Sequence, residues 1–402
     1  MAHVGITPSF WILSLIAHAL AWNTASGQEL ADGNESGFAY KVEYTLDLFT
    51  NLNGGVSRGN EALGLFKLAA TWDLENLVGW TGARAFAYGL GIQGGSISER
   101  VGDIQAVSNI EAPSTARIYE AWLEQDLFAS RSSLLVGLFD LNSEFNALPS
   151  SGLFLNSAQG IGPEFGLSGR NGPSIFPVAS LAARFQFQPT ESTYAQFALL
   201  DGVPGDPHNH NGTHVLLQGQ DGVLMTGEIG IRNPSFEKLA LGVWTYTNDF
   251  DHWTRTDSSG ELVQQRSAPG VYLIMEKSLF HEAADPEQGL NFYTRTGIAD
   301  GRVQPVDLFL GGGLVYTGAI PGRDADQAGC AIGAAHLSDE FQSASALGGS
   351  WQAWETAIEL TYHYRINDWF SIQPDIQYII NPSGDPSLGN ATVIGLRLVA
   401  SF

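Results

Sequence analysis

The chain has 402 residues, 47 of them Gly, with 44% hydrophobic residues, 15% charged residues and a formal charge of −23. Charged residues well below the usual ~25% exclude a disordered polyelectrolyte, and Gly without a triplet period excludes collagen. With 19 Lys+Arg against 42 Asp+Glu, a nucleic-acid partner is excluded too, because phosphate binding needs clustered cations.

The single cysteine, Cys330, permits no intrachain disulfide and no Cys-based zinc site; it reads as a small residue packed on a strand. Residues 10–22 form an apolar run followed by the small residues Ala25, Ser26 and Gly27. This predicts an export signal over 1–27, with Gln28 starting the mature chain, although the leading residues carry His3 and no Lys or Arg. The run falls short of the ~20 residues of a spanning helix. A single domain is expected over 28–402, with no accessory domain ahead of it.

Past the signal the dominant pattern is alternation with period two. In 118–127, Tyr119, Ala121, Leu123 and Leu127 share one face, against Glu120, Trp122, Glu124 and Asp126. In 181–188, Leu181, Ala183, Phe185 and Phe187 oppose Arg184, Gln186 and Gln188. In 355–365, Thr356, Ile358, Leu360, Tyr362 and Tyr364 oppose Glu355, Glu359, His363 and Arg365. Side chains alternate faces along a strand, so each segment fits a sheet with lipid on one side and water on the other.

Spacing separates this from a soluble sandwich. Strands are predicted near 40–50, 63–74, 81–94, 117–128, 133–145, 181–188, 193–201, 223–233, 239–250, 271–282, 290–301, 308–320, 328–338, 355–366, 370–380 and 391–402. Short turns alternate with longer connections rich in Gly, Ser, Asn and Asp, the longest being 146–180. Strands of ~9–11 residues joined in this way predict an all-β transmembrane antiparallel barrel of about sixteen strands, with long loops outside and short turns in the periplasm. The last strand carries Thr392, Ile394, Leu396, Leu398, Ala400 and Phe402 in one row, with Arg397 and Ser401 on the other face. Trp72, Trp80, Trp351, Trp354 and Trp369 fall at strand ends, where interfacial girdles sit.

Four segments carry a family resemblance: Glu120–Gln125, Gly137–Phe145, Pro321–Gln327 and Gln373–Pro382. In this order, with the likeness running from Phe38 to Phe402, the chain resembles the OprB family of carbohydrate-selective porins. The resemblance implies a sixteen-stranded barrel in the outer membrane of a Gram-negative cell, passing mono- and oligosaccharides by passive diffusion. It implies no enzyme activity and no cofactor. Outer-membrane lipid and lipopolysaccharide would surround the barrel, and the barrel assembly machinery would read its last strand; a homo-oligomer stays open.

Sixteen strands leave an aqueous lumen unless a loop narrows it. Loop 146–180 is the candidate, expected to fold inward against strands three to six and to supply Phe165, Arg170 and Phe176. The wall candidates are Arg84, Phe86 and Tyr88 on strand three, Glu120 and Trp122 on strand four, Asp140, Asn142 and Glu144 on strand five, and Arg184 on strand six. Sugars present apolar ring faces and hydroxyl edges, which aromatics, guanidinium donors and carboxylate acceptors match. Charges on a barrel wall also pair simply to keep the lumen wet. Leu123→Arg is expected to be costly on the lipid side and Glu124→Arg much milder.

Weaker patterns complete the inventory. His208, His210 and His214, near Asp206 and Asp221, have metal-like spacing but sit in a solvated outer loop. Gly311, Gly312 and Gly313 lie within a strand, where they permit a bend or close packing. Arg323 and Asp324 fall in a periplasmic turn and are expected to set its geometry. No His-Glu-x-x-His is present. Two alternatives stay open: a general cation-preferring porin, suggested by the −23 charge, and a barrel enzyme or receptor for a surface ligand.

Overall fold

The computed structural model describes residues 37–402 except 129, 284 and 346–350; the expected signal and its cleavage point therefore lie outside the described residues. Within them are eighteen strands: β1 Phe38–Gly55, β2 Gly59–Asp73, β3 Ala83–Gly94, β4 Thr115–Leu127, β5 Ser132–Phe139, β6 Ser180–Thr190, β7 Thr193–Asp201, β8 Val223–Asn233, β9 Phe236–Tyr246, β10 Asp249–Thr256, β11 Leu262–Arg266, β12 Gly270–His281, β13 Gly289–Ala299, β14 Val306–Thr317, β15 Gln327–Leu337, β16 Trp354–Asn367, β17 Phe370–Ile380 and β18 Gly389–Ser401. All but β10 and β11 close into one antiparallel barrel, in which β9 pairs directly with β12. The other two strands form a separate hairpin inside the long connection predicted over 251–270.

Alternation decides which way each side chain points. Leu123, Phe185, Ile358 and Leu360 are exposed on the outer surface, whereas Glu124, Arg184, Glu355 and Glu359 are buried inside. Cys330 is also on the outer surface. Closure comes from β18 against β1, with Leu48 opposite Leu396 on the outside and Asp47 opposite Arg397 on the inside. The carboxylate of Asp47 takes two hydrogen bonds from that guanidinium, each 2.7 Å. At the periplasmic rim Phe402 exchanges backbone hydrogen bonds with Val42 at 2.8 and 2.9 Å, and its ring stacks on Trp369. The terminal aromatic is thus part of the seam that closes the barrel.

Two local departures from the expected pattern matter for the lumen. Between the pairs Tyr88–Glu120 and Gly89–Ile118 the register shifts, leaving Tyr119 as an extra residue in β4. A bulge re-aims the side chain it inserts, so Tyr119 turns inward, only 3% exposed, instead of facing lipid. Strand β5 stops at Phe139, six residues before the predicted end at 145. The Asp140 carboxylate accepts the N–H of Asn142 at 2.8 Å and caps a 3-10 turn over Leu141–Ser143. Asp and Asn favour such local caps over strand pairing. Asp140, Asn142 and Glu144 therefore belong to the loop and not to strand five.

The periplasmic turn expected to rest on Arg323 and Asp324 is organised by Arg323 and Asp326. The guanidinium donates twice to Asp326, at 2.7 Å each, and once to the carbonyl of Arg365 at 2.6 Å. It also lies 3.9 Å from the centre of the Tyr364 ring. Burial favours a neutral Asp326, but donors from Arg323, Tyr362 and the Arg365 N–H prevail and hold its carboxyl below the usual range.

Candidate functional site

A loop turned into a barrel has no strand partner, so its backbone donors need acceptors from the wall. Buried glutamates supply them. Glu228 on β8 accepts the N–H of Asn146 at 2.9 Å together with the hydroxyls of Tyr194 and Tyr272 at 2.7 Å. Glu276 on β12 accepts the N–H of Ser150 at 3.1 Å. Glu359 on β16 accepts those of Leu155 at 2.6 Å and Asn156 at 3.1 Å. The loop between β5 and β6 is thereby fastened to β8, β12 and β16, while its returning end stays on the strands predicted to receive it, with Phe176 edge-on to Tyr119 and Ser174 donating to the Phe139 carbonyl.

Aromatic packing seals this side. Phe165 stacks on Trp244 with ring centres 4.2 Å apart and 13° between planes, and Phe154 lies 5.7 Å from Tyr293. Such pairs contribute ~0.5–1.5 kcal/mol each beyond their buried area. Glycines in the wall leave room for the rings: a Cβ on Gly329 would come within 2.8 Å of Phe154, and one on Gly313 within 2.8 Å of Tyr293. The Gly311–Gly313 run is therefore a place of close packing.

A second loop, 95–114, shares the lumen. Glu355 accepts the N–H groups of Ile104 at 2.9 Å and Gln105 at 3.0 Å. Gln377 donates to the carbonyl of Val107 at 2.9 Å, and Ser108 donates to Asp47 at 2.7 Å. Asn109 accepts from Arg397 at 2.8 Å and donates to the Phe154 carbonyl at 3.2 Å, so the two loops brace each other.

What stays open is a lane between these loops and the sector β1–β4 with β16–β18. A cavity of about 160 Å³ on the periplasmic side is lined by Glu43, His363, Arg397 and the turn Asn367–Phe370, among others. A cavity of about 200 Å³ lies outward of it, lined by Tyr88, Glu111, Tyr119, Asp140, Asn142 and Phe176 among others. Both are bordered by Lys67, Asn109, Ile110 and Gly152, which mark the junction. A third cavity, of about 260 Å³ at the outer mouth, shares Ile175 and Phe176 with the second. At the junction the charges are paired: Lys67 with Glu43 at 2.9 Å and Arg397 with Asp47 at 2.7 Å.

The predicted residues divide into three groups. Tyr88, Asp140, Asn142 and Phe176 line the outer of the two inner cavities. On Asp140, burial pushes the carboxyl up to about 6, against hydrogen bonds from the N–H groups of Asn142 and Ser143. Arg84, Arg184 and Glu144 form an ionic cluster around Glu124, with Arg84–Glu124 at 2.9 Å, Arg184–Glu124 at 2.8 Å and Arg184–Glu144 at 2.7 Å. The Arg184 side chain is only 3% exposed, and its two terminal nitrogens are taken by Ser133, Glu124 and Glu144. Glu124 is therefore a hub, and Glu124→Arg would place three cations together instead of being mild.

The remaining residues support this framework. Phe86 stacks on Trp122 at 5.0 Å, and Glu120 accepts the N–H of Asp140 at 3.1 Å. Phe165 belongs to the seal, and exposed Arg170 donates to the carbonyl of Asp249 at the foot of the hairpin, at 2.8 Å. Residues at the junction were not singled out from the sequence. A signal was present for Lys67, a lone cation between Phe66 and Leu68 on a strand, and for Arg397 on the polar row of the last strand. Nothing in the sequence marks Asn109. Among the described residues no group of three or more His, Cys, Asp or Glu is placed to hold a metal ion, and His214 instead bonds the carbonyl of Asn211 at 2.7 Å.

Comparison with known proteins follows the same line. Residues 57–402 match the profile of the OprB family, described as carbohydrate-selective porins. Porin B of Pseudomonas aeruginosa is 24% identical over 405 aligned positions, covering 92% of this chain and 88% of that protein. The high-pH structure of Pseudomonas putida OprB superposes with a TM-score of 0.82 at 22% identity, covering 93% of this chain and 96% of that one. A Salmonella typhi OmpF structure superposes at 0.58 with 8% identity, covering 92% and 99%, and shares the fold alone. The chain belongs to the OprB family: it is an outer-membrane β-barrel and a carbohydrate-selective porin.

Proposed function

We propose that sugars cross this porin through the off-axis lane, and that the selective step is the junction bordered by Lys67, Asn109, Ile110 and Gly152. The observation that carries this reading is the chain of shared lining residues, which links outer mouth to periplasmic cavity in three consecutive chambers. The junction offers a cation in Lys67 beside its anion partner Glu43, with the apolar Ile110 next to them and Arg397 on the periplasmic side. Paired charges favour a neutral, hydroxyl-rich solute over either ion, which disfavours a cation-preferring general pore. Half-buried Arg84 and buried Arg184 act behind this lane around Glu124, Arg184 holding Glu144 at the base of the constriction loop.

The test uses the single native thiol. In a Cys330→Ser background, Asn109→Cys treated with a bulky thiol reagent is expected to lose glucose and maltose flux into liposomes. Arg84→Cys treated in the same way should keep it. Unchanged flux at full labelling of position 109, or failure of the reagent to reach it, removes Asn109 from the pathway.

A further inference from the structure

Strand β5 is short, and its pairing with β4 ends at Leu138 opposite Ala121. The outer part of β4, from Thr115 to Glu120, is left with an unpaired edge, which natural sheets cover. The loop 202–222 covers it. Thr213 accepts the N–H of Ile118 at 2.8 Å and donates to the carbonyl of the same residue at 2.9 Å, standing in for the missing strand. Gly212 donates its N–H to Thr115 at 3.0 Å, and Arg117 donates to the carbonyl of His210 at 2.5 Å. On the other side Asn171 of the constriction loop donates to the carbonyl of Pro204 at 2.7 Å.

These bonds hold the walls of the outer cavity. Its lining is part apolar, with Pro113, Phe176 and Pro177, and part polar, with Arg117, Asp206, His210 and His214. The Nε of Arg117 is buried without a hydrogen-bond partner. A pyranose has the complementary make-up, with a C–H face for the apolar part and hydroxyls for the polar part. Phe176 also borders the next chamber, so a solute leaving this cavity inward is already on the lane.

We propose that this cavity is an outer saccharide-binding subsite, which captures sugar at the loop side and hands it to the lane. The proposal rests on the pathway reading above, and it assigns to the histidine-containing loop a recognition role distinct from metal binding. It makes the channel asymmetric: association from the loop side should exceed association from the turn side.

The experiment reads interruptions of ion current through single full-length channels in a planar bilayer, with glucose added to one side at a time. In the wild type the association rate from the loop side is expected to exceed that from the turn side several-fold. His210→Ala/His214→Ala and, separately, Arg117→Gln are expected to bring the loop-side rate down to the turn-side rate, with open-channel conductance and the turn-side rate unchanged. Equal rates in the wild type, no interruptions from either side, or an asymmetry surviving both variants would overturn the subsite. Liposome swelling separates the two readings. If sugar is preferred over a similarly sized amino acid but asymmetry is absent, the subsite alone falls; if Asn109 labelling leaves flux intact, the pathway falls first.

Discussion

The two sides of the lumen are built from the same residue types and do opposite things. Over β8–β16 the wall carboxylates Glu228, Glu276, Glu355 and Glu359 face loop backbone and are consumed by N–H groups. On the β1–β2 side Glu43 is matched to Lys67 and borders an open cavity, while Asp47, matched to Arg397, lies fully buried and also takes the Ser108 hydroxyl. A carboxylate fastens a loop wherever a loop donor reaches it, even with a cation in range, as Lys238 is of Glu228 at 3.2 Å, whereas Glu43 meets Lys67 and borders open space. The asymmetry moves the pore off the barrel axis.

The largest expected effect comes from breaking the cluster at which the loop leaves the wall. Glu124→Arg removes the anion between Arg84 and Arg184, both drawn inward, and adds a third cation. Breaking a buried pair from one side costs ~3–5 kcal/mol. On the opposite face of the same strand, Leu123→Arg puts a charge toward lipid, at ~2–4 kcal/mol near the bilayer centre. Folding titrations in vesicles should rank Glu124→Arg at least as severe as Leu123→Arg. A mild Glu124→Arg would mean the cluster contributes little.

A smaller effect is expected from the loop-covered side. Glu359→Ala leaves the N–H groups of Leu155 and Asn156 without their acceptor. Each such loss costs ~1–3 kcal/mol where water cannot substitute. Because the barrel pairing is untouched, the strands should survive and the loop tip should loosen. Single-channel conductance should rise and become noisier, and discrimination between glucose and maltose should narrow. Conductance identical to wild type would show that the remaining clamps at Glu228 and Glu276 suffice.

Legibility from the sequence follows from the range of the interactions. Strand placement rests on period-two alternation and turn composition, both local, and all sixteen barrel strands were readable from them. The misses are where a local rule was interrupted: the extra residue Tyr119, the early end of β5 at Asp140, and the hairpin β10–β11 hidden in a polar connection. The inward fold of 146–180 was legible from its length and aromatics. Its reach to β12 and β16 was not, because that depends on Glu276 and Glu359 meeting Ser150 and Leu155, residues far apart in the chain. Loop 95–114 went unread as a lumen element for the same reason, since its acceptor Glu355 lies on β16.

The smallest effect tests the open side. Lys67 lies at the junction of the two inner cavities, 2.9 Å from Glu43, with its side chain 10% exposed. Lys67→Ala removes a positive charge from the junction and leaves the strand pairing of the wall in place. Glu43 then keeps Lys41 at 4.0 Å as a cation and the Thr45 hydroxyl as a donor at 3.3 Å. The local balance shifts toward negative, so cations should gain over anions in reversal-potential measurements across a salt gradient. Lys67→Met, which keeps the length of the stem and loses the charge, should give the same shift with less change in conductance. If both variants keep the wild-type reversal potential, the permeating ions do not pass Lys67, and the narrow point of the lane lies on the other side of Asn109.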